Sequence, residues 1–101
     1  MVQILINALI WEDLNVAHIA RHDVTPLEVE QICQGSHIVR QGKKGRLLVI
    51  GLTEQGRMIT AALDPEDTEG VYYPVTARPA SKKERRLYQE EQENKGGDKA
   101  A

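Results

Sequence analysis

The 101-residue chain has no Phe, one Trp, three Tyr and a single cysteine. With so few rings, a core has to be assembled from Leu, Ile, Val and Ala. The lone Cys33 excludes an internal disulfide framework and any zinc site built from several cysteines. It stands among apolar residues in "VEQICQG", which predicts a buried thiol. No apolar run approaches the roughly 18 residues that a membrane span requires. The opening "MVQILINALIW" is apolar but lacks a basic start and a small-residue cleavage site, so it reads as an early strand. These absences predict a cytoplasmic domain with no membrane partner. A Gly-rich phosphate loop and a nucleophile elbow are both missing, which argues against nucleotide-driven chemistry and predicts no cofactor. His18 and His22 are spaced like two metal ligands on a helix. Ile19 follows His18 where an HExxH motif would have Glu, and no metal is expected.

A chain of this length supports one core, because so small a domain buries only about two-thirds of its unfolded surface. The formal charge is −2, which is not the footprint of a strong nucleic-acid binder. Its distribution is more informative. Cations cluster in "RQGKKGR" (Arg40, Lys43, Lys44, Arg46) and in "SKKERR" (Lys82, Lys83, Arg85, Arg86), while acids collect in "DPEDTEG" and after Tyr88. Each basic cluster is either a phosphate-holding patch or ordinary solvated charge.

The periodicity predicts a helix from Trp11 to Arg21, with Leu14, Ala17 and Arg21 on one side and Trp11, Asn15, His18 and His22 recurring on another. A second helix is punctuated clearly. Thr25 is its N-cap, Pro26 takes the first position, Glu28 completes a capping box, and Val24 with Val29 forms a hydrophobic staple. Gly35 stops it. "SHIVR", "RLLVIGLT", "RMITAALD" and "VYYPVTAR" then read as strands, with Pro74 marking an edge or bulge in the last. Ser81 and Glu84 form another capping box that opens "KKERRLYQEEQEN" as a closing helix. Helices and strands in separate runs predict an α+β domain over residues 1–93, followed by a disordered tail over 94–101. The expected architecture has two N-terminal helices, an antiparallel meander of three or four strands, and a C-terminal helix. The helices are expected on one face of the meander, leaving the other open.

Three segments together resemble the BrnT family of ribonuclease toxins. "IWEDLNVAHIARHDVTPLEVEQI" looks like the family's opening, "GRLLVIGLTEQGRMITAAL" like its central hairpin, and "YPVTARPASKKERRLY" like its closing strand and helix. The similarity spans roughly residues 10–88. The chain departs from the family at Leu14 and Asn15, where a lysine is frequent, at His18, where Asn is common, and at Asp23, where glycine follows the helix-ending His. The resemblance implies a RelE-like fold and a metal-independent endoribonuclease of a type II toxin–antitoxin system. It also implies a BrnA-like antitoxin as partner. The alternative is a BrnT-like module that binds protein or RNA and has lost cleavage. An exposed strand edge or open sheet face would dock the antitoxin or a second copy, giving a homodimer.

Cleaving RNA without a metal requires a base for the ribose 2′-hydroxyl, a cation for the pentacoordinate phosphorus, and an acid for the departing 5′-oxygen. An ordinary imidazole titrates near pH 6.5, within about a unit of neutrality, and serves as either acid or base. His22 and Arg78 are therefore the first candidates, with His18 and Arg57 second. Lys82, Lys83, Arg85 and Arg86 are the candidates for flanking phosphates. Competing assignments stay open: the histidines as packed, hydrogen-bonded groups, and Arg78 as the ion-pair partner of Glu84 or Glu54. Glu84 reads as a cap, and Tyr88 as a packing residue. Tyr72 and Tyr73 point to opposite faces of a strand, so at most one of them meets a ligand.

Overall fold

Among the described residues, two of the three helices begin where a side chain hydrogen-bonds its own backbone in the pattern the sequence predicts. At helix α2 (Pro26–Gln34) the Glu28 amide donates to Thr25 Oγ1, and the Thr25 amide donates to Glu28 Oε1. The equivalent box at α3 (Lys82–Ala100) joins Ser81 and Glu84. Such caps contribute about 1 kcal/mol each. The structure, a computed structural model, describes residues 4–93 in full and, for 94–100, the backbone alone. The disorder expected over 94–101 lies outside the fully described residues. No described helix is long and apolar enough to cross a membrane.

The strands are β1 (Ala8–Leu9), β2 (His37–Gln41), β3 (Leu47–Leu52), β4 (Met58–Pro65) and β5 (Val71–Pro79). They form one sheet in the order β1-β5-β4-β3-β2. Strands β2 to β5 make the expected antiparallel meander. Among the described residues the sheet nonetheless has five strands where three or four were expected, and it is mixed, because β1 runs parallel to β5. The N-terminal segment closes the outer edge of β5, pairing Ala8 with Val71 and Leu9 with Tyr72. That pairing ends just before Pro74, which has no N–H to donate to a ladder. Opposite Leu63 the register slips, so Val75 bulges out between Pro74 and Thr76. The proline thus marks both an edge and a bulge, as the sequence implied.

Successive side chains of a strand point to opposite faces, and both faces here carry a core. On one, Leu47, Val49, Ile59, Ala61, Leu63 and Ala77 pack against Ile19 of helix α1 (Asp13–Ala20), Val24, and Val29, Ile32 and Cys33 of α2. On the other, Ile38, Ile50, Met58 and Ala80 pack against Tyr88 of α3. This corrects the expectation that all helices share one face. The closing helix has an apolar pair, Leu87 and Tyr88, and it folds back under the sheet, where Tyr88 Oη shares a 2.8 Å hydrogen bond with Ser36 Oγ. Cys33 is buried as expected, and burial followed by the nearby Glu30 charge pushes its thiol up to about 12.

Helix α1 is shorter than its periodicity suggested, and its buried face consists of Asn15 and Ile19. Leu14 is instead 76% exposed. Asn15, only 2% exposed, joins three segments. Its Oδ1 accepts the Glu12 amide at 2.8 Å, and its Nδ2 donates to the Ile10 carbonyl at 3.0 Å and the Pro74 carbonyl at 3.1 Å. Gly51 is a second constraint. A Cβ there would lie 2.8 Å from the Ser36 carbonyl oxygen and 3.0 Å from Ile32 Cβ, so glycine lets the α2 side chain and the start of β2 approach this strand so closely.

Two stability outcomes follow from these contacts. We expect Asn15→Ala to destabilise the domain by about 2–3 kcal/mol, since it strands a buried carbonyl and removes a cap. We expect Gly51→Ala to cost about 1–3 kcal/mol through overpacking. Urea unfolding midpoints compared with that of the parent chain check both values.

Candidate functional site

His18 lies in the last turn of α1, and His22 follows in the turn that closes it. The chain continues as a helix-like turn through His22, whose amide donates to the Ile19 carbonyl at 2.9 Å. Both histidines are exposed, and their rings meet edge to face, with centroids 5.6 Å apart and planes at 69°. Neither ring hydrogen-bonds to another described residue. Asp23 then takes a left-handed conformation (φ 61°) that few residues other than Gly, Asn and Asp adopt readily. The histidine pair therefore stands on a projecting helix end.

Arg57 is held at the start of β4 by the tight β3–β4 connection, in which its amide donates to Thr53 Oγ1 at 3.0 Å. Its Nη1 donates to both carboxylate oxygens of Glu28, at 3.0 and 2.9 Å, and its Nη2 lies 3.9 Å from Asp23 Oδ2. Partial burial raises the Glu28 carboxyl, but the Arg57 hydrogen bond and the Thr25 amide outweigh it and hold the group below its ordinary value. Arg78 ends β5 opposite Thr60 and makes a two-pronged pair with Glu84, both bonds being 2.7 Å. Glu84 also accepts from Thr60 Oγ1 at 3.0 Å and from the Ser81 amide at 2.8 Å. The Arg78 bonds, then the Ser81 and Thr60 donors, outweigh desolvation and bring its carboxyl down to about 2. Of the two partners proposed for Arg78, Glu84 is the one it takes.

The expected site residues thus separate into two groups. Arg57 shares the strand alternation of Ile59 and Ala61 and reaches the α2 side, near the turn that carries His22 and Asp23. Arg78 faces the α3 side with Thr60. His22 and Arg78, the first-choice pair, do not share a face of the sheet. Lys82, Lys83, Arg85 and Arg86 are all exposed on the first turns of α3, and none has a carboxylate at ion-pair distance among the described residues. In the other basic cluster, Arg40 pairs with Glu91 and Arg46 with Asp64, leaving Lys43 and Lys44 exposed.

Sequence reasoning did not find a groove of about 290 Å³ between α1 and β5, lined by Leu14, Asn15, His18, Tyr73 and Val75. Tyr73 Oη donates to Glu12 Oε1 at 3.0 Å, whereas Tyr72 packs against the first core. The exposed Leu14 was legible only as an apolar residue in a helix, and the bulge that aims Val75 into the groove leaves no signal beyond Pro74. Among the described residues no group of three His, Cys, Asp or Glu side chains is placed to hold a metal.

The Glu84 carboxyl has a consequence for stability. Its folded pKa of about 2 lies below the ordinary 4.5, so its contribution is complete above pH 4.5 and is lost as pH falls toward 2. With allowance for the half-exposed Arg78, we expect a contribution of about 2 kcal/mol. Acid titrations of chemical stability on the parent and on Glu84→Gln measure it: the variant should be less stable at neutral pH, and the difference should shrink below pH 4.5.

No family model matches the chain, and no curated protein matches it.

Proposed function

We propose that this chain acts on RNA as a divergent BrnT-like domain of RelE type, holding the strand by its phosphates along α3. One observation carries the reading: Lys82, Lys83, Arg85 and Arg86 are exposed and without carboxylate partners among the described residues, while Arg40, Arg46, Arg57 and Arg78 are all ion-paired. Unopposed cations bind a polyanion by releasing its counterions. The start of a helix, with its free N–H groups, adds to the attraction. The geometry favours binding over cleavage. Arg57 and Arg78, the two clamps expected on the reacting phosphate, are each closed by a glutamate and point to opposite faces of the sheet. A BrnA-like antitoxin is the proposed protein partner, and the outer edge of β2 is its proposed dock.

A second reading keeps the endoribonuclease, and the His18–His22 pair favours it. Two exposed imidazoles 5.6 Å apart could divide the work of base and acid around one phosphate. Arg57, reached through Asp23, would then supply the cation in place of Arg78.

Filter binding to a mixed-sequence RNA over a range of salt separates these readings from a domain that ignores RNA. We expect the Lys82→Ala, Lys83→Ala, Arg85→Ala, Arg86→Ala quadruple variant to bind at least roughly tenfold more weakly and with a shallower salt slope. Unchanged affinity would sink the binding proposal. Incubation of total RNA in EDTA should leave it intact. Cleavage by the parent that disappears in His18→Ala and His22→Ala would establish the second reading instead.

A further inference from the structure

The histidine pair has a property that does not depend on RNA. Two imidazoles bound to one tetrahedral cation have metal–nitrogen bonds of roughly 2.0–2.1 Å, which puts each ring centroid roughly 3.2 Å from the metal and the centroids roughly 5.2 Å apart. His18 and His22 already stand at 5.6 Å on the same side of α1, and neither is engaged by a hydrogen bond to another described residue. The rings lie edge to face at an exposed helix end, so chelation turns them about their side-chain bonds until one nitrogen of each faces a common point. Of the charged groups flanking His22 in the same turn, Asp23 is a carboxylate and Arg21 a cation, and Arg57 reaches to 3.9 Å from Asp23.

We propose, against the expectation set by the missing HExxH motif, that His18 and His22 form a two-histidine chelate for a divalent transition cation of the Zn²⁺ or Cu²⁺ class. Imidazole selects these ions over Mg²⁺ and Ca²⁺, which prefer oxygen ligands. No third side chain completes the site among the described residues, so water or an external ligand fills the remaining positions and the ion exchanges. Cys33 does not compete, because it is buried in the α2 core. The bound ion bridges α1 and its closing turn and thereby stabilises the folded chain by mass action.

The test uses the full untagged chain, stripped with EDTA and dialysed, titrated with ZnCl₂ and separately with CuCl₂ at neutral pH. Calorimetry should show one saturable equivalent. Zinc should shift the imidazole NMR signals of His18 and His22 while those of His37 stay in place. His18→Ala and His22→Ala should each weaken binding at least tenfold and abolish the rise in Tm with zinc, whereas His37→Ala and Cys33→Ser should leave both unchanged. Both histidines are exposed, so the variants are expected to fold, and circular dichroism checks this. Equal affinity in His18→Ala or His22→Ala, loss of binding in His37→Ala or Cys33→Ser, or no saturation with either ion would each overturn the proposal.

Discussion

The bulge at Val75 is the irregularity on which the N-terminal half of the structure depends. Val75 is pushed out of register, and beside it Pro74 is buried with a carbonyl that needs a donor. A buried carbonyl without a donor is costly, and Asn15 supplies the donor from α1. The same amide group fastens the Ile10 carbonyl, so the segment leading from β1 into the helix is placed by the bulge as well. Helix α1 buries few side chains, and this polar anchor does what a wider apolar stripe does elsewhere. Its outer surface, with Leu14, His18 and His22, is free as a result.

A second theme is the double use of capping glutamates. Glu28 and Glu84 occupy the same position in their respective capping boxes, and each also grips an arginine presented by the adjoining sheet. Helix α2 is tied to the start of β4 through Arg57, and α3 is tied to the end of β5 through Arg78. The two ties lie on opposite faces, and each neutralises a cation that would otherwise be available to a phosphate. Among the described residues, the cations left unopposed are those on the outer surface of α3, those in the Lys43–Lys44 turn, and Arg21. The electrostatic character of the domain is therefore set by which arginines the helix starts consume.

Many of the local elements were legible in the residues. The boxes at Thr25 and Ser81, Pro26 at the first helical position, the β-rich run before the "EQG" turn, and the irregularity at Pro74 are all interactions within a few residues of one another. The buried thiol of Cys33 was legible for the same reason. The candidate site was legible only as an inventory. His18 with His22 and Arg78 with Glu84 were recognisable as pairs because each spans a turn or less of helix or a short strand-to-helix link. That His22 and Arg78 belong to different faces was not, because nothing local says on which side of a sheet a closing helix will dock.

The sequence by itself determined where α2 and α3 begin, which residues cap them, and which side chains are available for chemistry. These follow from backbone hydrogen bonding and side-chain period, which act over one or two turns of chain. Tertiary structure alone decided the parallel docking of β1, the passage of α3 beneath the sheet, and the capture of Arg57 by Glu28 across 29 residues. Those contacts join segments far apart in the chain, and their energies depend on which apolar surfaces meet and which charges are brought within reach when they do.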